Sequence, residues 1–218
     1  MNKRTKYIIG AIVAVVLIGG VFFLSGKDDD NRMGRADTNL QRYLEEQEDI
    51  MEDMMEEMED IPETGDANLD FLYGMVPHHK SAIEMSESLL KYGGDNEEVK
   101  KAAEKIIEDQ RLENEEMNKM IEEFKNNPKI DEEKEKAYLE EYEDMLDGHM
   151  SHNTNKGDTV DEAFLEGMIM HHEMAVEMSE AILRYTDNEM IKTMAEGIVE
   201  KQNTEISEMK EMLSALKD

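Results

Sequence analysis

The sequence predicts an all-α protein: an N-terminal transmembrane helix followed by tandem three-helix repeats. Three observations lead there. Helix formers dominate, with only 3 Pro in 218 residues, so little interrupts helix. No stretch alternates polar and apolar residues with a period of two, so no sheet is expected. And most of the chain beyond its first apolar run is written twice. Phe71-Leu72-Tyr73-Gly74-Met75-Val76-Pro77-His78-His79 returns as Phe164-Leu165-Glu166-Gly167-Met168-Ile169-Met170-His171-His172, 93 residues on. Gln110, Met117 and Met120 return as Gln202, Met209 and Met212 at an offset of 92, and Tyr43-Leu44-Glu45-Glu46 as Tyr138-Leu139-Glu140-Glu141 at 95.

The first element is the apolar run at residues 7–24, which carries no charge. At 1.5 Å per residue it makes about 27 Å of helix, close to the hydrocarbon thickness of a bilayer. Lys3, Arg4 and Lys6 precede it, which orients the N-terminus to the cytoplasm and everything after Lys27 outside the cell membrane. Leu24-Ser25-Gly26 fits a signal-peptidase site poorly, and no Cys follows to carry a lipid. Residues 1–27 are therefore expected to be an uncleaved single-pass anchor, and 28–37 a linker.

Residues 38–128 form the first repeat and 129–218 the second. In the first, helix A is expected from Thr38 to Asp60, before Pro62, and helix B from Asn68 to Tyr92, closed by Gly93-Gly94. Helix C follows from a cap at Asp95 or Asn96 to Asn126, before Pro128. In the second, Asp131, then Asp158 or Thr159, then Asp187 or Asn188 supply the caps. Short connections make successive helices antiparallel neighbours in a bundle.

Charge and composition narrow the function. With 54 Asp+Glu against 24 Lys+Arg the formal charge is −30; such a surface repels nucleic acid. The absence of Cys removes disulfides, thiolate metal sites and cysteine nucleophiles together. What stands out is 20 Met against 5 Phe and no Trp. Methionine fills irregular cores, and its thioether is also a soft ligand for Cu(I).

Helix B carries a one-face stripe at steps of three and four: Phe71, Met75, His78, Ala82, Met85, Leu89, Tyr92. Its copy is Phe164, Met168, His171, Ala175, Met178, Ile182, Tyr185. Three readings compete. In the first the stripe is core, with His78, His79, His171 and His172 as hydrogen-bonded packing residues; an unpaired buried ring nitrogen would then cost about 1–3 kcal/mol. In the second the histidines bind a soft or borderline metal together with thioethers. Copper is favoured, Cu(I) over Cu(II), because imidazole and thioether without thiolate suit it; zinc is the weaker alternative. The candidate ligands are Met75, His78, His79 and Met85 in the first copy, and Met168, His171, His172, Met174 and Met178 in the second. Helix C adds Met117, Met120, Met209 and Met212. Helix A offers Met51, Met54, Met55 and Met58 in the first copy, and His149 and His152 in the second, where alignment sets His149 opposite Met54. The third reading, an enzyme, lacks a motif: no Glu stands three residues before any His, as a di-iron bundle needs, and Val176 breaks the zinc-protease pattern begun by His172-Glu173. No enzymatic activity is expected. Pro77 is expected to kink helix B just before His78; the copy has Met170 there, so the two copies are expected to differ in copper affinity or stoichiometry.

The pattern Met-x-x-His-His-x-x-Ala-x-x-Met at Met75–Met85 and Met168–Met178, with the Gln and Met-x-x-Met of the next helix, resembles the domain-of-unknown-function 305 family. The resemblance covers residues 38–217 in two copies. It implies an exported or membrane-anchored bacterial protein with a ferritin-like helical bundle. Some members are implicated in copper binding and tolerance outside the cytoplasm, which implies the matched His and Met residues as ligands. The end of the second bundle departs from the family pattern, with Leu216 where the first copy has Phe124. Together these readings lead to an extracytoplasmic protein that buffers copper or hands it to a transfer partner. The alternative is a metal-free helical interaction module of the cell envelope.

Overall fold

Helices begin and end where the chain's capping residues stand. The computed structural model describes residues 29–150 and 157–217, with side chains for 38–149 and 157–217. Among the described residues there are six α-helices and no strand: α1 (Asp29–Glu59), α2 (Ala67–Tyr92), α3 (Glu97–Asn126), α4 (Glu132–Met150), α5 (Val160–Tyr185) and α6 (Glu189–Lys217). The Asp66 side chain accepts the Asn68 N–H at 3.1 Å to open α2, and Asn96 accepts those of Glu98 and Val99 to open α3. Asp131, Thr159 and Asn188 open α4, α5 and α6 in the same way, so of each open pair the residue nearer the helix is the cap. Gly93 closes α2 at φ 76°, its N–H bonded to the Leu89 carbonyl at 2.9 Å. Pro77 lies inside α2, which runs unbroken through it.

One boundary differs from expectation. α1 is already helical at Asp29, the first described residue, rather than beginning at Thr38, so helix runs through most of the stretch expected to be a linker. Gly34 alone costs only about 1 kcal/mol. The expected membrane span at 7–24 lies outside the described residues, as does His152. No helix among the described residues is long and apolar enough to cross a membrane.

Within each repeat the middle helix packs against its two neighbours, α1 and α3 against α2, α4 and α6 against α5; the repeats meet through α2 against α5. α2 and α5 run antiparallel, and the core shows it. One apolar cluster joins Phe71, Leu72 and Met75 from the first half of α2 to Met178 and Ile182 from the second half of α5. The other joins Met85 and Leu89 of α2 to Phe164 and Met168 of α5. Phe71 and Phe164 are both 0% exposed, and burial of each such side chain contributes about 1.5–3 kcal/mol.

Both ends are cross-braced by equivalent residues. Asp161, at the start of α5, accepts the Asp95 N–H at 2.9 Å in the α2–α3 turn. Its counterpart Asn68, at the start of α2, accepts the Thr186 hydroxyl in the α5–α6 turn. The repeated tyrosines tie down the outer helices: Tyr92 donates to Glu46 at 2.7 Å and Tyr185 to Glu141 at 3.0 Å.

Candidate metal centre

His-His falls at the midpoint of both central helices, so their antiparallel crossing brings the four imidazoles into one layer. His78 and His171 stack with ring centroids 3.7 Å apart and planes at 34°. The Nε2 of each lies 3.1 Å from the main-chain carbonyl oxygen of the other. Since a carbonyl only accepts, both Nε2 atoms carry the proton. Ser81 donates to the His78 carbonyl at 2.6 Å, and its oxygen lies 2.7 Å from His171 Nε2 and 2.9 Å from Met54 Sδ. That places one thioether beside the layer.

The outer pair reaches the flanking helices. His79 Nε2 donates to Glu113 Oε2 on α3 at 2.8 Å, and His172 Nε2 to Glu205 Oε2 on α6 at 3.1 Å. The adjacent rings of each repeat stand 6.1 Å apart. All four histidines are at most 1% exposed. In every one the Nδ1 atom is buried with no hydrogen-bond partner among the described residues.

Electrostatics keep three of the imidazoles neutral. Burial, reinforced by the neighbouring imidazoles, pushes His78 and His171 well below the ordinary histidine range. Burial also lowers His172, despite Glu205 beside it. The carboxylates stay charged. Burial opposes the charge on Glu205, but the bonds from His172 and Lys105 outweigh it and hold the group at about 2. Glu113 is likewise lowered against burial by His79 and Lys201. His78, His171 and His172 therefore present neutral rings with a lone pair at Nδ1, the protonation state in which histidine ligates metal.

The thioethers are divided by the crossing. Met75 and Met85 stand three before and seven after His78, so they fall on opposite sides of the histidine layer, as do Met168 and Met178. Met75 shares its cluster with Met54, Met58, Met117, Met120, Met174 and Met178, all buried. Met85 shares the other with Met168 and Met209, against which half-buried Met212 packs. The first side is thus the richer in sulfur. Two self-contained sites, one per copy, are not what the fold builds; it builds one shared histidine layer between two methionine layers. His149, which alignment pairs with Met54, is half-buried at 3.1 Å from Glu177 and near enough to His171 to add to the lowering of its pKa. Among the described residues no three His, Asp or Glu side chains converge as a metal-holding group.

Three participants are not marked by the motifs of the sequence. Glu113 and Glu205 are equivalent at the same offset of 92 as Gln110/Gln202 and Met117/Met209, a signal hidden among 54 acidic residues. Ser81 has no such signal, because Met174 takes its place in the second copy.

The profile of the family described as "Domain of unknown function (DUF305)" matches residues 29–121 and 66–213. Uncharacterized protein L153 of Acanthamoeba polyphaga mimivirus is 42% identical over 57 residues, 26% of this chain and 38% of that protein. The match thus spans well under half the length of that curated relative. CopM in the Cu(I)-bound form is 26% identical with a TM-score of 0.52, covering 69% of this chain and 98% of that one. CopM in the Ag-bound form, obtained by soaking, is 28% identical with a TM-score of 0.52, over 68% and 95%. A DUF305 protein from Streptomyces coelicolor shares the fold, at 24% identity and a TM-score of 0.54, over 69% and 94%.

Proposed function

Since the chain belongs to the DUF305 family, we propose that it binds Cu(I) as cargo through the histidine layer and the flanking thioethers. One observation carries this reading: four buried imidazoles, each with an Nδ1 that no group among the described residues satisfies. Packing histidines would have both nitrogens paired, because an orphaned buried acceptor costs about 1–3 kcal/mol. A soft cation is the partner such atoms lack, and Met54 beside Ser81 and His171 supplies a soft donor at the same place. CopM, bound to Cu(I) and to Ag, supports the same ligand chemistry. The imidazoles would hold copper singly or in pairs, each with thioethers from its own side of the layer: Met54, Met75, Met174 and Met178 on one side, Met85 and Met168 on the other. The role is buffering or handing over copper to a transfer partner rather than catalysis. The bundle works outside the cytoplasm, behind the apolar segment at 7–24.

The test is a titration of the protein with Cu(I) in competition with a chromophoric chelator, against a variant with all four histidines changed to Ala. Tight binding that the variant loses supports the reading. Unchanged binding in the variant sinks the site, and no binding in either sinks the function.

A further inference from the structure

We propose that Glu113 and Glu205 are positioning residues of the copper centre: each fixes its histidine in the Nε2–H form and so selects Nδ1 as the ligating atom. This rests on the copper reading above. The two carboxylates occupy equivalent places in the duplication, on α3 and α6, and make the same contact, 2.8 Å to His79 Nε2 and 3.1 Å to His172 Nε2. An ionised carboxylate can only accept. The opposite tautomer would set a ring lone pair against that negative charge, so the proton stays on Nε2. The carboxylate also makes the ring a stronger base toward a metal, as such partners of ligating histidines do.

The carboxylates are themselves held from the opposite repeat. Lys201 on α6 donates to Glu113 Oε1 at 2.8 Å, and Lys105 on α3 donates to Glu205 Oε1 at 2.6 Å. Asp109 Oδ2 joins the two lysines, at 3.2 Å from Lys105 and 3.0 Å from Lys201. A continuous path therefore runs from His79 through Glu113, Lys201, Asp109, Lys105 and Glu205 to His172. With one oxygen bonded to lysine, each glutamate has its other oxygen aimed at the imidazole, so ring orientation is set by charges drawn from both copies. A salt bridge that merely stapled α3 to α6 would not need to end on a buried imidazole at both of its termini.

The experiment uses the full chain and two double variants, Glu113→Leu with Glu205→Leu, and Glu113→Gln with Glu205→Gln. Nitrogen-15 NMR of the metal-free protein reads the tautomers of His79 and His172, and Cu(I) competition reads affinity. The wild type should show the Nε2–H form at both rings. The Leu variant should lose that preference and bind Cu(I) about 10–100-fold more weakly. The Gln variant keeps an acceptor, so it should keep the tautomer while losing a smaller factor in affinity. It also carries the test if the Leu variant fails to fold. An Nδ1–H tautomer in the wild type, or wild-type Cu(I) affinity in the folded variants, overturns the positioning role alone. A wild type with the Nε2–H tautomer but no Cu(I) binding overturns the copper reading, and the positioning role with it.

Discussion

The imidazoles of His78 and His171 stack 3.7 Å apart, and each sets its Nε2 3.1 Å from the other's main-chain carbonyl. The contact is reciprocal because the two residues are copies of one position, brought together by antiparallel packing of two copies of one helix. It makes the repeats interdependent at their centre. His78→Ala and His171→Ala should therefore each destabilise the fold, and the double variant by less than their sum. Ring stacking puts the coupling at about 1 kcal/mol. A double-mutant cycle by urea unfolding measures it, and strict additivity would refute the interdependence.

Metal loading should stabilise the native state. An ion that binds only the folded protein adds about 2.7 kcal/mol at a free concentration one hundred times Kd. Cu(I) or Ag(I) is therefore expected to raise Tm by several degrees, and a chelator to reverse the change. Calorimetry with and without the ion checks this. The same rise in the four-histidine variant would place the bound ion elsewhere.

Gly74 and Gly197 should respond oppositely to alanine. A Cβ on Gly74 would lie 2.8 Å from the Tyr142 hydroxyl and 3.1 Å from its ring, and Tyr142 is held by a 3.0 Å bond to the Met58 carbonyl. Gly74→Ala should cost about 1–3 kcal/mol, the ordinary penalty of overpacking. Nothing lies within 4 Å of a Cβ on Gly197, so Gly197→Ala should stabilise α6 by about 0.5–1 kcal/mol. Denaturant midpoints of the two variants decide, and equal signs would contradict the packing described.

Asp70 gives the fold a pH dependence. Burial, with Glu135 beside it, raises its carboxyl to about 7 in spite of two hydrogen bonds from Thr64. The folded state thus binds this proton more tightly than the unfolded chain does. Its stabilising contribution is full below pH 4 and lost as pH rises through about 7. Asp70→Asn keeps the acceptor for Thr64 and removes the charge. A tenfold difference in proton affinity between the folded and unfolded states is worth about 1.4 kcal/mol. The variant's stability relative to wild type should accordingly rise by up to about 4 kcal/mol between pH 4 and pH 8. Parallel pH profiles in urea unfolding would exclude the effect.

The order of the helices is legible in the residues that start and stop them. Asp131, Asn96 and Gly93 act where their chemistry suggests, because capping is local and depends on a few neighbours. That helix reaches back before Thr38 to Asp29 is not legible, since acidic residues and a lone Gly are weak signals and that stretch lacks a strong stop. The stripe of Phe71, Met75, His78, Met85 and Leu89 is legible as one face of a helix. What that face meets is not, because the stripe is silent about the direction of its partner.

The sequence by itself determined the duplication, the helices, their capping residues and the paired histidines at the middle of each repeat, since all follow from local spacing and residue type. The tertiary structure decided that the histidines form one shared layer rather than two sites. It also decided that Met75 and Met85 part to opposite sides of that layer, and that Glu113 and Glu205 close on His79 and His172. The reason is geometric. These relationships depend on the antiparallel crossing of α2 and α5, which joins residues 93 positions apart and is settled only when both apolar faces are buried together.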